Sequence, residues 1–309
     1  VTAEQLERMS GAELRKSVER CRVYARVSPK HKSMIVEALQ SKGNVVAMTG
    51  DGINDAPSIK KADIGIAMGV SGTDVTKNAS DMIISDDNFA TIVLAVGEGR
   101  RIFSNIKKTI AFFLATNLAE VLSIFIVSVL FCRFDFLLSA QLLWLNLVTD
   151  SFPVLALGME RAEPDIMERK PKRAEKAVFS KESVLSMCFF GGAITVITMA
   201  VFFVSLALFG NATATTMTFF TLSFAELFHA FNIRSDRQSV FRTGIFSNKA
   251  LLLTVIGGIA VNIAVYAAAP LKAALGISAL TVWQWVAVFL SALAGIPLGG
   301  IYKIFLRPR

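Results

Sequence analysis

Three apolar stretches of this chain carry acids. In LLWLNLVTDSFPVLALGM, residues 142–159, Asn146, Thr149 and Asp150 interrupt a run long enough to cross a bilayer. TIAFFLATNLAEVLSIFIVSVL, residues 109–130, holds Asn117 and Glu120 three positions apart, hence on one helix face. TFFTLSFAELFHAFN, residues 218–232, holds Glu226, with His229 one turn on. A carboxylate at the centre of a bilayer costs about 2.5–3.5 kcal/mol even on the lenient insertion scale. Hydrogen-bond glue between helices accounts for an isolated Asn or Thr. It does not account for three acids with no Lys or Arg in the same stretches. A bound cation supplies the missing charge. Carboxylate, carboxamide and hydroxyl oxygens are what Ca²⁺ takes, six to eight at a time. Asn117, Glu120, Asn146, Thr149, Asp150 and Glu226 are therefore the candidate ligands, and His229 reads as a packed polar residue. Three carboxylates carry −3 against +4 for two Ca²⁺, so a second ion needs at least one more acid than these stretches provide.

A second constellation sits near the N-terminus. NVVAMTGDGINDAP runs a short apolar segment into a Gly-rich turn bearing Asp51, Asn54 and Asp55, with Lys32 upstream on a predicted helix. A lone Asp-Gly pair is a turn former. The whole string together with Lys32 fits hard oxygens holding Mg²⁺ beside a phosphate.

The elements that must position these groups follow from patterning. The chain is 53% hydrophobic with mean hydropathy +0.55. Six apolar runs, centred on 109–131, 140–158, 184–209, 215–232, 250–269 and 281–302, read as membrane spans. The residues before them have soluble composition and alternate helix with strand. SPKHKSMIVEALQSKG carries Ser28 as an N-cap, Pro29 at the first helical position and Gly43 as the stop. A buried strand is expected at Val45–Met48, and further strands within ADIGIAMG and DMIIS, giving a parallel sheet with Asp51 and Asp55 at its carboxyl end. From about Asn88 to Phe131 the pattern allows one long helix or two with a hinge at Gly97 and Gly99. Pro153 breaks regular helix near Asp150, and unwound backbone is tolerated in a membrane where it lines a site. The fold class is thus an α/β soluble domain followed by an all-α membrane domain of six helices.

Basic residues, among them Arg100, Arg101, Lys107, Lys108, Arg161, Lys181, Arg234 and Lys303, fall in loops and ends on one side, leaving Arg133 and Lys272 on the other. That asymmetry predicts both termini in the cytoplasm and accounts for the net charge of +8 without nucleic acid. Cys21, Cys132 and Cys188 show no metal-ligand or disulfide spacing.

ARVSPKHKSMIVEALQ and TGDGINDAPSIKKADIGIAMG resemble the phosphorylation domain of P-type cation-transporting ATPases, which has a haloacid-dehalogenase-like fold. The resemblance implies that Asp51 holds Mg²⁺, that Asn54 and Asp55 organise the phosphate site, that Lys32 neutralises phosphoryl oxygens, and that Arg26 lies near the phosphates of ATP. NLAE and LLWLNLVTDSFPVLALG are similar to the sarco/endoplasmic-reticulum-type calcium pumps, with Glu226 at a third acidic ligand position. It implies domains at 1–90 (the C-terminal half of a cytoplasmic phosphorylation domain), 91–108 (a stalk helix) and 109–309 (a cation-transport domain). The activity implied is ATP-driven export of Ca²⁺ from the cytoplasm with proton countertransport, at the plasma membrane in a bacterium. The family's Asp-Lys-Thr-Gly-Thr string is absent here. So are its nucleotide-binding domain, actuator domain and first four helices, which become expected partners alongside the lipid bilayer. Without that nucleophile these residues alone are expected to be inactive. A pump for Na⁺, K⁺ or Mn²⁺, or a truncated ion-binding subunit, are the alternatives.

Overall fold

The computed structural model describes all residues except 132–135, 170–178, 236–237 and 307–309. Cys132 and Arg133 lie outside the described residues; Cys21 and Cys188 are free thiols. The chain divides into two compact units, Val1–Glu98 and Gly99–Arg309.

In the first unit, α1 (Ala3–Arg8) and α2 (Gly11–Ser17) pack on α3 (Pro29–Ser41) through Leu6, Leu14, Val18 and Ala38. The Ser28 hydroxyl accepts from the His31 amide, and Gly43, at φ 88°, ends the segment, as the caps predict. Three parallel strands follow, β1 (Ala47–Gly50), β2 (Ile64–Met68) and β3 (Met82–Ile84), in the order β1-β2-β3. They are linked by α4 (Ala56–Lys61) and α5 (Asp74–Ala79). The expected strand at Val45–Met48 begins two residues later and is not buried. Val46 is engaged by the turn before β2: its amide donates to the Asp63 carboxylate at 2.8 Å, and its carbonyl accepts from Asp63 and Ile64. The ladder therefore starts at Ala47 opposite Ile64. The buried strand is β2, whose Ile66, Ala67 and Met68 fill the interior with Ile59 and Ile84.

After β3, Asp87 adopts a left-handed conformation (φ 48°), which Asp tolerates better than most residues. Its carboxylate accepts from the Val70 amide at 3.0 Å, and from the Ser71 hydroxyl and amide, each at 2.7 Å. These donors hold its pKa down to about 2, against about 3.9 for free Asp. A depressed carboxylate stabilises the fold above the unfolded pKa and loses that contribution as pH falls through the folded one. The loop at Val70–Ser71 is expected to loosen between about pH 4 and pH 2. Amide exchange at Val70 and Ser71 checks this, and Asp87→Asn should abolish the pH dependence in that window.

The helix α6 (Phe89–Leu130) is continuous through Gly97 and Gly99 and, at 1.5 Å per residue, runs roughly 63 Å. Its buried stripe, Asn105, Lys108, Phe112, Ala115, Thr116, Ala119, Glu120, Ser123 and Val127, repeats every three to four residues. Further α-helices among the described residues are α7 (Ser139–Trp144), α8 (Ser151–Gly158), α9 (Lys181–Phe209), α10 (Asn211–Ile233), α11 (Val240–Thr243), α12 (Lys249–Ala267), α13 (Ala269–Ala274), α14 (Val282–Leu293) and α15 (Gly295–Ile301). A π-helical turn, Leu145–Thr149, joins α7 to α8.

Among the described residues, five helices are long and apolar enough to cross a membrane: Phe89–Leu130, Ser139–Gly158, Lys181–Phe209, Lys249–Ala267 and Val282–Ile304. The sixth expected span, α10, has the length but not the apolarity. It carries Thr215, Thr216, Thr218, Thr221, Ser223, Glu226, His229 and Asn232, and every residue from Ala214 to Ile233 is buried. The other helices of this unit surround it, so its polar groups meet protein rather than lipid.

One buried cluster clamps the ends of these helices. The Arg234 guanidinium, 2% exposed, donates to both Glu160 oxygens, at 2.9 and 3.0 Å, and to the Gly244 carbonyl at 2.7 Å. Asn248 donates to Glu160 at 2.8 Å, and Asn105 on α6 donates to the Glu160 carbonyl at 2.8 Å. Burial pushes Glu160 up. The Arg234 and Asn248 hydrogen bonds, with the charges of Arg234 and Lys108, outweigh it and hold the carboxyl below its usual range. Arg234, read from sequence as a loop cation, is thus a core residue.

Candidate cation-binding site

The membrane-embedded acids are carried by three elements. Glu120 follows from the buried stripe of α6. Asp150 follows from the break in the second apolar stretch. The Asp150 amide donates five residues back, to the Leu145 carbonyl at 3.0 Å. Pro153 has no amide to offer the Thr149 carbonyl four residues before it. The widened turn leaves Thr149 and Asp150 buried. Glu226 lies on the enclosed helix α10 and is fully buried.

Hydrogen bonds connect these elements. The Asn146 amide donates to Glu120 Oε2 at 2.8 Å, the Thr116 hydroxyl donates to Asp150 Oδ2 at 3.0 Å, and the Thr149 and Ser223 hydroxyls meet at 3.2 Å. Glu226 stands within electrostatic reach of Asp150 and Glu120. Four buried carboxylate oxygens, Glu120 Oε1, Asp150 Oδ1 and both of Glu226, have no hydrogen-bond partner among the described residues. A buried acceptor left unmet costs about 1–3 kcal/mol, more if charged. These oxygens define a set of hard donors short of a positive charge.

Not every expected ligand enters this set equally. Asn117 donates to the Phe113 carbonyl of its own helix at 2.8 Å and is half-buried. Asn146 is exposed on its outer side while its amide reaches Glu120. Among the described residues, no three His, Cys, Asp or Glu side chains are grouped closely enough to hold a metal ion by themselves. A cation held here must draw on carboxamide, hydroxyl and backbone oxygens as well as acids, which is the ligand mixture Ca²⁺ accepts. His229 is 3% exposed and packed between the Phe112 and Phe190 rings, at 5.9 and 4.7 Å. Thr116 and Ser223 went unread in the sequence. Their signal was position, four residues before Glu120 and three before Glu226.

In the first unit, Lys32 forms an ion pair with Asp55, which is 7% exposed and accepts from the Gly52 amide at 3.4 Å. A Cβ on Gly50 would collide with the Asp55 Cβ, so only glycine fits at the end of β1. The Asp51 carbonyl accepts from the Thr73 amide at 3.0 Å, leaving its side chain exposed, as is that of Asn54. An exposed carboxylate beside a Lys–Asp pair suits Mg²⁺ with a phosphate. Arg26 is exposed, with φ 56°, an unusual conformation for a long side chain.

Residues 134–305 match the family model described as "Cation transporting ATPase, C-terminus". Calcium-transporting ATPase 1 of Bacillus cereus is 40% identical over 97% of this chain and 36% of its own length. The calcium-transporting ATPase of Bacillus subtilis is 42% identical over 96% of this chain and 33% of its own. Calcium-transporting ATPase 3, endoplasmic reticulum-type, of Arabidopsis thaliana is 36% identical over 99% of this chain and 33% of its own. The chain spans about a third of the length of these curated relatives.

Proposed function

Since this chain belongs to the P-type cation-transporting ATPases, we propose that it forms the membrane end and part of the phosphorylation domain of a pump that moves Ca²⁺ out of the cytoplasm. The observation that carries this reading is the set of four unpartnered carboxylate oxygens on Glu120, Asp150 and Glu226. Asn117, Asn146 and Thr149 complete the ligand set. In the empty state, protonation of the acids removes the burial penalty of their charge, which makes protons the counter-ion. α10 is taken as the sixth span, both termini as cytoplasmic, and the division as residues 1–90, 91–108 and 109–309.

The first unit serves phosphoryl chemistry in a haloacid-dehalogenase-like domain. Lys32 offsets phosphoryl charge, and Asp55, fixed by Lys32 and the Gly52 amide, holds the turn in which Asp51 and Asn54 face outward. Mg²⁺, when bound, would neutralise the phosphate it shares with Asp51, and Arg26 would lie toward the phosphates of ATP. The aspartate to be phosphorylated, the actuator and nucleotide-binding domains and four further helices are expected elsewhere in the complete protein. The test is acid-stable phosphorylation from ATP by that protein in membranes. Micromolar Ca²⁺ should be required, and activation by Na⁺, K⁺ or Mn²⁺ in its place would assign another cargo.

A further inference from the structure

A cavity of about 590 Å³ opens between α10, α12 and α14, walled by Phe224, Ile263, Tyr266, Trp285 and Phe289 among others. That is within the roughly 300–1,000 Å³ of sites that take small ligands. Its walls are braced: the Tyr266 and Trp285 rings meet edge-on at 5.0 Å, and Trp285 packs on Phe220 at 4.7 Å. The Tyr266 hydroxyl donates to the Leu280 carbonyl at 3.2 Å and accepts from the Leu280 amide at 2.8 Å, which pins one end of the groove to the segment before α14.

At that same end, Lys272 Nζ stands 4.6 Å from the Tyr266 ring centroid. It makes no ion pair among the described residues, and the sequence from 237 to 309 contains no Asp or Glu at all. The groove is thus a carbon-walled slot with Lys272 at its Tyr266 end, a cation that has no carboxylate partner among the described residues. No Gly, Ala, Ser or Thr lines it. Helix partners in membranes approach through such small residues, so the lining favours a flexible hydrocarbon chain over a further helix.

We propose that this groove seats an acyl chain of an anionic phospholipid of the surrounding bilayer, with Lys272 against the phosphate. The inference rests on membrane residence and not on what the protein transports. The complete protein carrying Trp144→Phe and Trp283→Phe, in nanodiscs, leaves Trp285 as this chain's reporter; any tryptophan elsewhere in the protein is subtracted with a Trp285→Phe control. Phosphatidylglycerol brominated on its acyl chain should quench Trp285 as if about fivefold more concentrated than brominated phosphatidylcholine at the same low mole fraction. Lys272→Gln should equalise the two lipids, and Lys272→Arg should keep the preference. Equal quenching by both lipids in the unaltered groove would overturn the proposal. So would a preference that survives Lys272→Gln, or quenching by neither lipid, the result expected if a protein helix covers the groove.

Discussion

Glu120→Gln in the complete protein is expected to raise the Ca²⁺ concentration needed for phosphorylation from ATP by about a hundredfold or more, with the fold intact. The size follows from ligand charge. Hard-cation affinity is set by the number and charge of the oxygens presented, and even the loss of groups that merely orient ligands costs about 10–100-fold in metal affinity. Gln is nearly the same shape, and a flip of its amide lets its oxygen accept from Asn146, so the 2.8 Å bond to α7–α8 can persist. What disappears is the negative charge and the unpartnered Oε1. Thr116→Val is the milder comparison. It removes the hydroxyl that donates to Asp150 at 3.0 Å without touching an acid, and should cost closer to tenfold. The measurement is a Ca²⁺ titration of phosphoenzyme in both variants. An unchanged titration in Glu120→Gln would reject the assignment of this acid to the cargo.

Glu160→Gln should destabilise the second unit by about 3–5 kcal/mol, because it leaves the Arg234 guanidinium buried without its counter-charge. The same principle predicts that Glu160→Gln with Arg234→Met recovers most of that loss, since removing the guanidinium leaves no buried charge without its counter-charge while the Gln oxygen still accepts from Asn248. Thermal unfolding of the single and double variants in detergent distinguishes the outcomes. If the single variant melts with the unaltered protein, the cluster at Glu160 is not a clamp. Acid should mimic the mutation. Glu160 is held below the ordinary carboxylate range, so its contribution is complete above about pH 4.3 and fades as pH falls below that.

Some of this architecture was legible because its signals are local. Ser28, Pro29 and Gly43 bracket α3 as written, since caps act within one turn of the residue that makes them. The break at Asp150 was legible for the same reason: a proline acts on the carbonyl four residues before it. β1 was misplaced because apolar Val45 and Val46 resemble strand, whereas Asp63, seventeen residues from Val46, claims that backbone first. The glycines at 97 and 99 left a hinge open, and α6 is helical at both. The acids of the candidate site were visible as expensive residues in apolar runs. Their partners Thr116 and Ser223 were not, because an isolated hydroxyl in a helix is inexpensive and unremarked. Arg234 was the least legible of all. Nothing near it in sequence distinguishes a loop cation from one whose carboxylate lies 74 residues upstream.

The burial of α10 from Ala214 to Ile233 also constrains how the protein is made. With Glu226, His229 and Asn232 near one end and threonines near the other, it is too polar to leave the translocon for lipid on its own account. It is tied to α9 through the single residue Gly210, at φ 83°, a linker too short for the two to partition separately. On the proposed six-span reading the pair enters as one hairpin, with the strongly apolar α9 carrying its neighbour. α10 must then be shielded by helices synthesised after it. Biogenesis of this region therefore waits on its last helices, and truncation before α14 would leave α10 exposed to quality control.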